Sequence, residues 1–182
     1  ASRRMKQSMQ QVRSRIGDRL SPAAREALFD GMPANYLIET APRTIARHLR
    51  LYETLREARA KGLESAFCLE GEAEPSSGTY EVTFLARDRA GLFSDVAGVM
   101  ALNNINILSA RIYTWRDGTA VDIFTVTPPL DPIHTEEIWE RIKKDLAEAF
   151  EGRLPLSKRL QQKAEPSILS RKKTLRRQTQ II

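Results

Sequence analysis

The sequence predicts an α+β fold in which a helical segment precedes a layered unit of strands and helices. Three observations carry this. The hydrophobic period is three to four residues up to about Leu55, becomes two at Thr79, and alternates between the two afterwards. Turn signals at Gly91, at "RDG" (116–118) and at Pro128 and Pro129 then cut the remainder into strand, helix, strand, strand, helix. No apolar run approaches the roughly 18 to 20 residues that a membrane-spanning helix needs, and "ASRRMKQSMQQ" has no hydrophobic signal core. A cytoplasmic protein with no membrane partner is expected. The absent initiator Met and the end at Ile181 and Ile182 suggest a piece of a longer protein.

In the first third, Met5, Met9, Val12 and Ile16 recur at helical spacing. "SPAAREALFDG" predicts a second helix, with Ser21 as the N-cap acceptor, Pro22 in the first turn and Gly31 in the left-handed position after the end. A third helix follows "ETAPRT", its apolar stripe being Ile45, Leu49, Tyr52 and Leu55. His48 lies beside that stripe with no second ligand one turn away, so a packed side chain is expected rather than a metal ligand. These helices need a partner surface. "SAFCLE" predicts a short strand, and "GEAEPSSG" has the Gly, Pro and Ser content of a linker.

From Thr79 to Ala86, Tyr80, Val82 and Phe84 alternate with Glu81 and Thr83, the period of a strand. Leu92 to Leu102 then steps through Leu92, Val96, Val99 and Met100 as a helix. Asn106 to Trp115 and Thr119 to Thr127 are strands joined by a hairpin at Arg116 to Gly118. His134 to Phe150 closes with a second helix carrying Ile138, Ile142, Leu146 and Phe150, with Thr135 as N-cap and Gly152 as stop. This order is the split β-α-β plan of a ferredoxin-like βαββαβ fold: four antiparallel strands with two helices on one face. Only "RQTQII" is left as a last strand, which can be cut short. Val82, Phe84, Val96, Met100, Ile107, Ile123, Ile142 and Leu146 are the expected core.

Charge divides along the same lines. Residues 1–64 carry 13 Lys and Arg against 7 Asp and Glu, residues 65–152 carry 7 against 15, and residues 153–182 carry 9 against 1. The acidic middle is therefore flanked by basic segments, and the tail "RKKTLRRQ" is expected as a solvated connector. Cys68 is the single cysteine. It excludes an internal disulfide and a zinc site built on thiolates, and is expected as a small packed side chain.

The stretch "ARDRAGLFSDVAGVMALNNINIL" places Asp88, Arg89, Ala90 and Gly91 between the first long strand and its helix. The free N–H groups of a helix start carry partial positive charge there, and Gly91 lets a ligand approach the main chain. That corner suits a carboxylate, with Asp88 available to an ammonium, so a zwitterionic amino acid presents both groups. The competing interpretation is that Asp88 caps the helix and Gly91 packs it closely on the sheet.

"DRAGLFSDVAGVMALNNINILSARIYTWRDGTAVDIFTV" resembles an ACT domain, a small-molecule-sensing module of enzymes of amino-acid metabolism. More narrowly, it resembles the ACT region of the bifunctional PII-protein uridylyltransferase and uridylyl-removing enzyme. The matching positions are Asp88 to Phe93, Asn106 and Ile107, Ala110 to Ile112, Arg116 to Gly118 and Asp122 to Val126. The likeness reaches upstream through "MPANYLIETAPRTIARHLRL". Ala90 departs from the family's usual Pro, and the family's second tandem ACT domain is not in this sequence. The resemblance implies four parts: residues 1–64 from or beside an upstream HD-type phosphohydrolase domain, a strand and linker at 65–78, an ACT domain at 79–152, and a basic connector at 153–182.

It further implies that glutamine is sensed, that the enzyme modifies a PII protein in nitrogen control, and that any Mg2+ belongs to its catalytic domains. Neither a nucleotidyltransferase carboxylate motif nor a His-Asp pair stands in this sequence, so no catalytic residue, metal or cofactor is expected within it. The expected ligand-binding residues are Asp88, Arg89, Ala90, Gly91, Leu92 and Phe93, with Asn104, Ile105 and Asn106 facing a second ACT domain or a homodimer partner. An ACT domain of another amino-acid-regulated enzyme is one alternative. A ferredoxin-like nucleic-acid-binding module is another, but "TAVDIFTVT" lacks the stacking aromatics in a basic glycine-containing setting, and the acidic middle repels phosphates.

Overall fold

A computed structural model describes residues 3–16 and 21–164. Four helices come first: α1 (Arg3–Ile16), α2 (Pro22–Gly31), α3 (Ala34–Glu39) and α4 (Pro42–Ala60). They are followed by β1 (Phe67–Glu74), β2 (Thr79–Arg87), α5 (Leu92–Leu102), β3 (Ile107–Thr114), β4 (Thr119–Val126), α6 (Thr135–Phe150) and α7 (Leu156–Ala164). The expected ferredoxin-like α+β architecture is present, behind N-terminal helices.

The strands form one antiparallel sheet in the order β1-β2-β4-β3. The edge beside β2, where the βαββαβ plan puts its last strand, is occupied by the upstream strand β1. "RQTQII" lies outside the described residues. β1 is longer than the sequence suggested, because "GEAE" continues the strand and only residues 75–78 turn. Its solvated glutamates resemble a linker in composition, but they line an edge strand where charge is tolerated.

Both sheet faces are covered, which the two-helix plan does not include. On one face Leu69, Val82, Phe84, Phe124 and Val126 pack with Val96, Val99 and Met100 of α5 and Ile142 and Leu146 of α6. On the other, Leu85, Tyr113, Trp115, Val121 and Ile123 meet Val12, Phe29, Tyr36, Ile45, Leu49 and Leu55 of the N-terminal helices. The sheet is thus the partner surface those helices need. Each such aliphatic or aromatic side chain contributes about 1.5 to 3 kcal/mol by burial. The expected core residues fall in these clusters, with Ile107 partly buried and Ile123 on the helical-segment side.

Helix ends agree with the sequence in part. Ser21 accepts the Ala24 N–H at 3.2 Å and Pro22 opens α2. Gly31 is not left-handed; it ends α2, and Met32 is extended at φ −81° ψ 136° because Pro33 follows. The Gly31 carbonyl instead accepts the Arg116 N–H at 2.8 Å. Thr135 is the first residue of α6 rather than its cap. No side chain caps α6; Asp131 closes the turn before it, taking the Ile133 and His134 N–H groups at 2.9 and 3.3 Å. Gly152, at φ 71°, stops α6 as expected.

α7 lies along α5, and Lys163 Nζ donates to the terminal carbonyls of Ala101 and Leu102 at 2.6 and 2.9 Å. Gly98 faces it, and a Cβ there would sit 3.5 and 3.6 Å from methyls of Leu156 and Leu160, an ordinary contact. Gly98→Ala is expected to stabilise the chain by about 0.5 to 1 kcal/mol through helix propensity. A fall in the urea midpoint would contradict this packing.

Candidate ligand site at the start of α5

β2 is a central strand, and its end delivers the 88–91 loop to the start of α5. The Asp88 N–H donates to the Gly118 carbonyl at 2.8 Å, tying the loop to the β3–β4 hairpin. The Asp88 carboxylate accepts the Thr114 hydroxyl at 3.0 Å. Arg89 donates to Asp95 at 2.6 Å, and its guanidinium lies 5.0 Å from the Phe150 ring centre. Gly91 occupies the N-cap position at φ 79°, and no side chain caps α5. Asp88 is therefore not the helix cap. Nor is Gly91 there for close packing, since nothing stands within 4 Å of where its Cβ would be. The glycine is required by its left-handed backbone. A cleft of about 350 Å³ opens beside the loop, between Glu64, Ala66, Arg87, Arg89 and Phe150.

Asp88, Arg89, Ala90, Gly91 and Phe93 are exposed, whereas Leu92 is a buried core side chain. At the other end of α5, Asn104 and Asn106 are exposed and Ile105 is buried. Asn104 is left-handed at φ 60°, and Asn106 exchanges bonds with Thr127 at 2.9 and 3.0 Å. At about 1.5 Å rise per residue, the length of α5 holds the two segments roughly 16 Å apart. One chain does not bring them together. Both adjoin the β3 side of the sheet, whose edge is open and whose Leu108 and Ile112 are 57% and 50% exposed, with Phe93 at 45%.

Sequence reasoning gave no site role to Asp122, although the run "TAVDIFTV" interrupts an otherwise apolar strand with an acid. β4 is buried on both faces. Asp122 is 2% exposed, and its Oδ1 has no hydrogen-bond partner. Burial, and then the nearby Asp88 charge, push its carboxyl up to about 7.

His48 is the packed side chain that was expected. It is fully buried, with Nδ1 2.8 Å from the Tyr36 hydroxyl and Nε2 3.2 Å from that of Thr83. Burial first, then Arg47 and Arg111, lower its pKa to about 3. It is therefore neutral, with one ring nitrogen donating and the other accepting. Cys68 is half-buried, its thiol 3.4 Å from the Leu51 carbonyl and pushed upward by burial. Among the described residues, no three His, Cys, Asp or Glu side chains gather as metal ligands, and no helix is long and apolar enough to cross a membrane.

Residues 80–147 match the family model for the ACT domain. The bifunctional uridylyltransferase/uridylyl-removing enzyme of Rhodospirillum rubrum is 41% identical over 140 residues, which are 76% of this chain and 14% of that enzyme. Its namesake from Erythrobacter litoralis is 29% identical over 84% of this chain and 16% of its own length. The ACT domain-containing protein ACR9 of Arabidopsis thaliana is 32% identical over 39% of this chain and 17% of its own. The chain spans about a seventh of the length of the bacterial enzymes it matches. With the four-stranded sheet and the loop-to-helix corner in place, residues 80–147 are an ACT domain, in a chain that matches the ACT region of bifunctional uridylyltransferase/uridylyl-removing enzymes.

Proposed function

We propose that the chain is a regulatory module that senses an amino acid, glutamine in the first place, at the 88–93 loop. On this reading it reports nitrogen status to an enzyme that uridylylates and deuridylylates a PII protein in the cytoplasm. The observation that carries it is the exposed, uncapped start of α5 beside Asp88. The N–H groups there suit the ligand's carboxylate, and acidic side chains suit its ammonium. The side-chain amide needs donors and acceptors from a facing surface, and the open β3 edge offers a place for a second ACT domain or a second copy. Catalysis, and any Mg2+ it uses, belong to other parts of that enzyme. A nucleic-acid role is disfavoured because β2 and β4 are covered on both faces, leaving the central strands no platform for stacked bases.

Gly91→Val tests this. A β-branched residue resists φ 79°, while the open space around Gly91 spares the rest of the fold. Glutamine binding is expected to be lost, with the circular dichroism spectrum unchanged. Unaltered binding would make the loop a structural turn only. The chain should also show no uridylyl transfer to, or removal from, a PII protein, and turnover above a buffer control would overturn the division of roles.

A further inference from the structure

Asp122 is a charged side chain that the sensing reading does not use, and buried unpartnered carboxyls are rare enough to call for a cause. Its cross-strand neighbours are Phe84 on β2 and Ile112 on β3. Thus its side chain stands on the sheet face that α5 covers. Ile112 is half exposed, and two residues along β4 the Phe124 ring lies 5.9 Å from that of Phe93, in the first turn of α5. Asp122 therefore sits beneath the edge of the proposed site, close enough to Asp88 to feel its charge.

Asp88 is the charged group that acts on it, and those of the adjoining loop and strands are already engaged. Asp88 takes the Thr114 hydroxyl, Arg89 and Asp95 pair with each other, and Arg87 pairs with Glu64 at 2.7 Å. On β3, Arg111 reaches Glu81 at 3.5 Å on the opposite face, and α6 presents Ile142 and Leu146 to this core. Among the described residues, no cation pairs with Asp122.

We propose that Asp122 is the counter-ion for the ammonium of the bound amino acid, and that it releases a proton to solvent when the ligand arrives. This rests on the sensing reading above and adds a binding residue and a pH dependence to it. The empty site holds a neutral carboxylic acid; the ligand's cationic nitrogen displaces the proton and donates N–H bonds to the carboxylate. Because the empty carboxyl titrates near 7, affinity should be about tenfold weaker at pH 6 than at pH 8.

The test is calorimetric titration of the chain with L-glutamine at pH 6 and pH 8, in two buffers of different protonation enthalpy. The expected result is close to one proton released per ligand at pH 6 and a tenfold gain in affinity at pH 8. Asp122→Asn should bind with one weak affinity at both pH values and release no proton. Carbon NMR of the Asp122 carboxyl in the unmodified chain gives a readout independent of the variant, and its titration should move to lower pH on adding glutamine. Glutamine binding that is equal at both pH values, or a variant with the full pH 8 affinity, would overturn the role of Asp122 while leaving sensing intact. No glutamine binding at either pH would overturn the sensing reading and this proposal with it.

Discussion

Asp122→Asn is expected to stabilise the chain at pH 8 by about 2 kcal/mol and to destabilise it by about 1 to 2 kcal/mol near pH 4, where the acid is neutral and only the cost of burying the amide is left. The folded carboxyl titrates near 7 against an ordinary value of 3.8, so the folded state holds the extra proton between those values. Stability therefore falls as pH rises from about 4 to about 7 and stays low above. At about 1.4 kcal/mol per pH unit, the full shift amounts to roughly 4 kcal/mol. Satisfying the new amide offsets part of this, at about 1 to 3 kcal/mol. Urea unfolding of both proteins at pH 4 and pH 8 measures it, and a stability difference independent of pH would show that Asp122 is not a neutral buried acid.

His48→Phe is expected to destabilise the chain by about 2 to 4 kcal/mol at pH 7. It leaves the buried Tyr36 and Thr83 hydroxyls without their shared partner. Its pH signature is opposite to that of Asp122. The folded pKa is depressed to about 3 from 6.5, so the stability His48 provides is present above pH 6.5 and is lost as pH falls toward 3. Between about pH 4 and 6.5 the two slopes cancel in the unmodified chain. Asp122→Asn should therefore unmask a decline toward acid, and His48→Phe a decline toward base. A His48→Phe chain as stable as the original at pH 7 would contradict the buried bridge between α4 and β2.

The elements that pack by a simple period were legible in the sequence. Leu92–Leu102 is the helix that its apolar steps describe, and Thr79, Thr119 and the "RDG" turn begin or join strands where alternation and turn chemistry place them. Features set by distant contacts were not. β1 runs through "GEAE" because it gains β2 as a neighbour, and its glutamates carry the composition of a loop. The second covered face depends on α4 crossing the sheet, which no local period states. Gly31 yielded to the backbone preference before Pro33, a rule visible in "GMP" but outweighed there by glycine's usual role.

The candidate site divides in the same way. The corner from Asp88 to Gly91 follows from a strand meeting a helix at a glycine, and the structure has that corner. Leu92 and Ile105 belong to the same stretches but turn inward, because the helical and strand periods alternate faces within any contiguous motif. Asp122 went without a role because a single acid in a strand usually faces water. Only the burial of both faces of β4 gives it another meaning.

Calorimetric titration of the chain with a panel of amino acids, with its mass measured by sedimentation in the same buffer, tests the central claim most directly. The predicted result is saturable binding of glutamine in preference to the others, weak at low protein concentration and accompanied by dimer formation. Tight one-to-one binding by a strict monomer would contradict the shared site across the β3 edge, and no heat from any amino acid would contradict sensing itself.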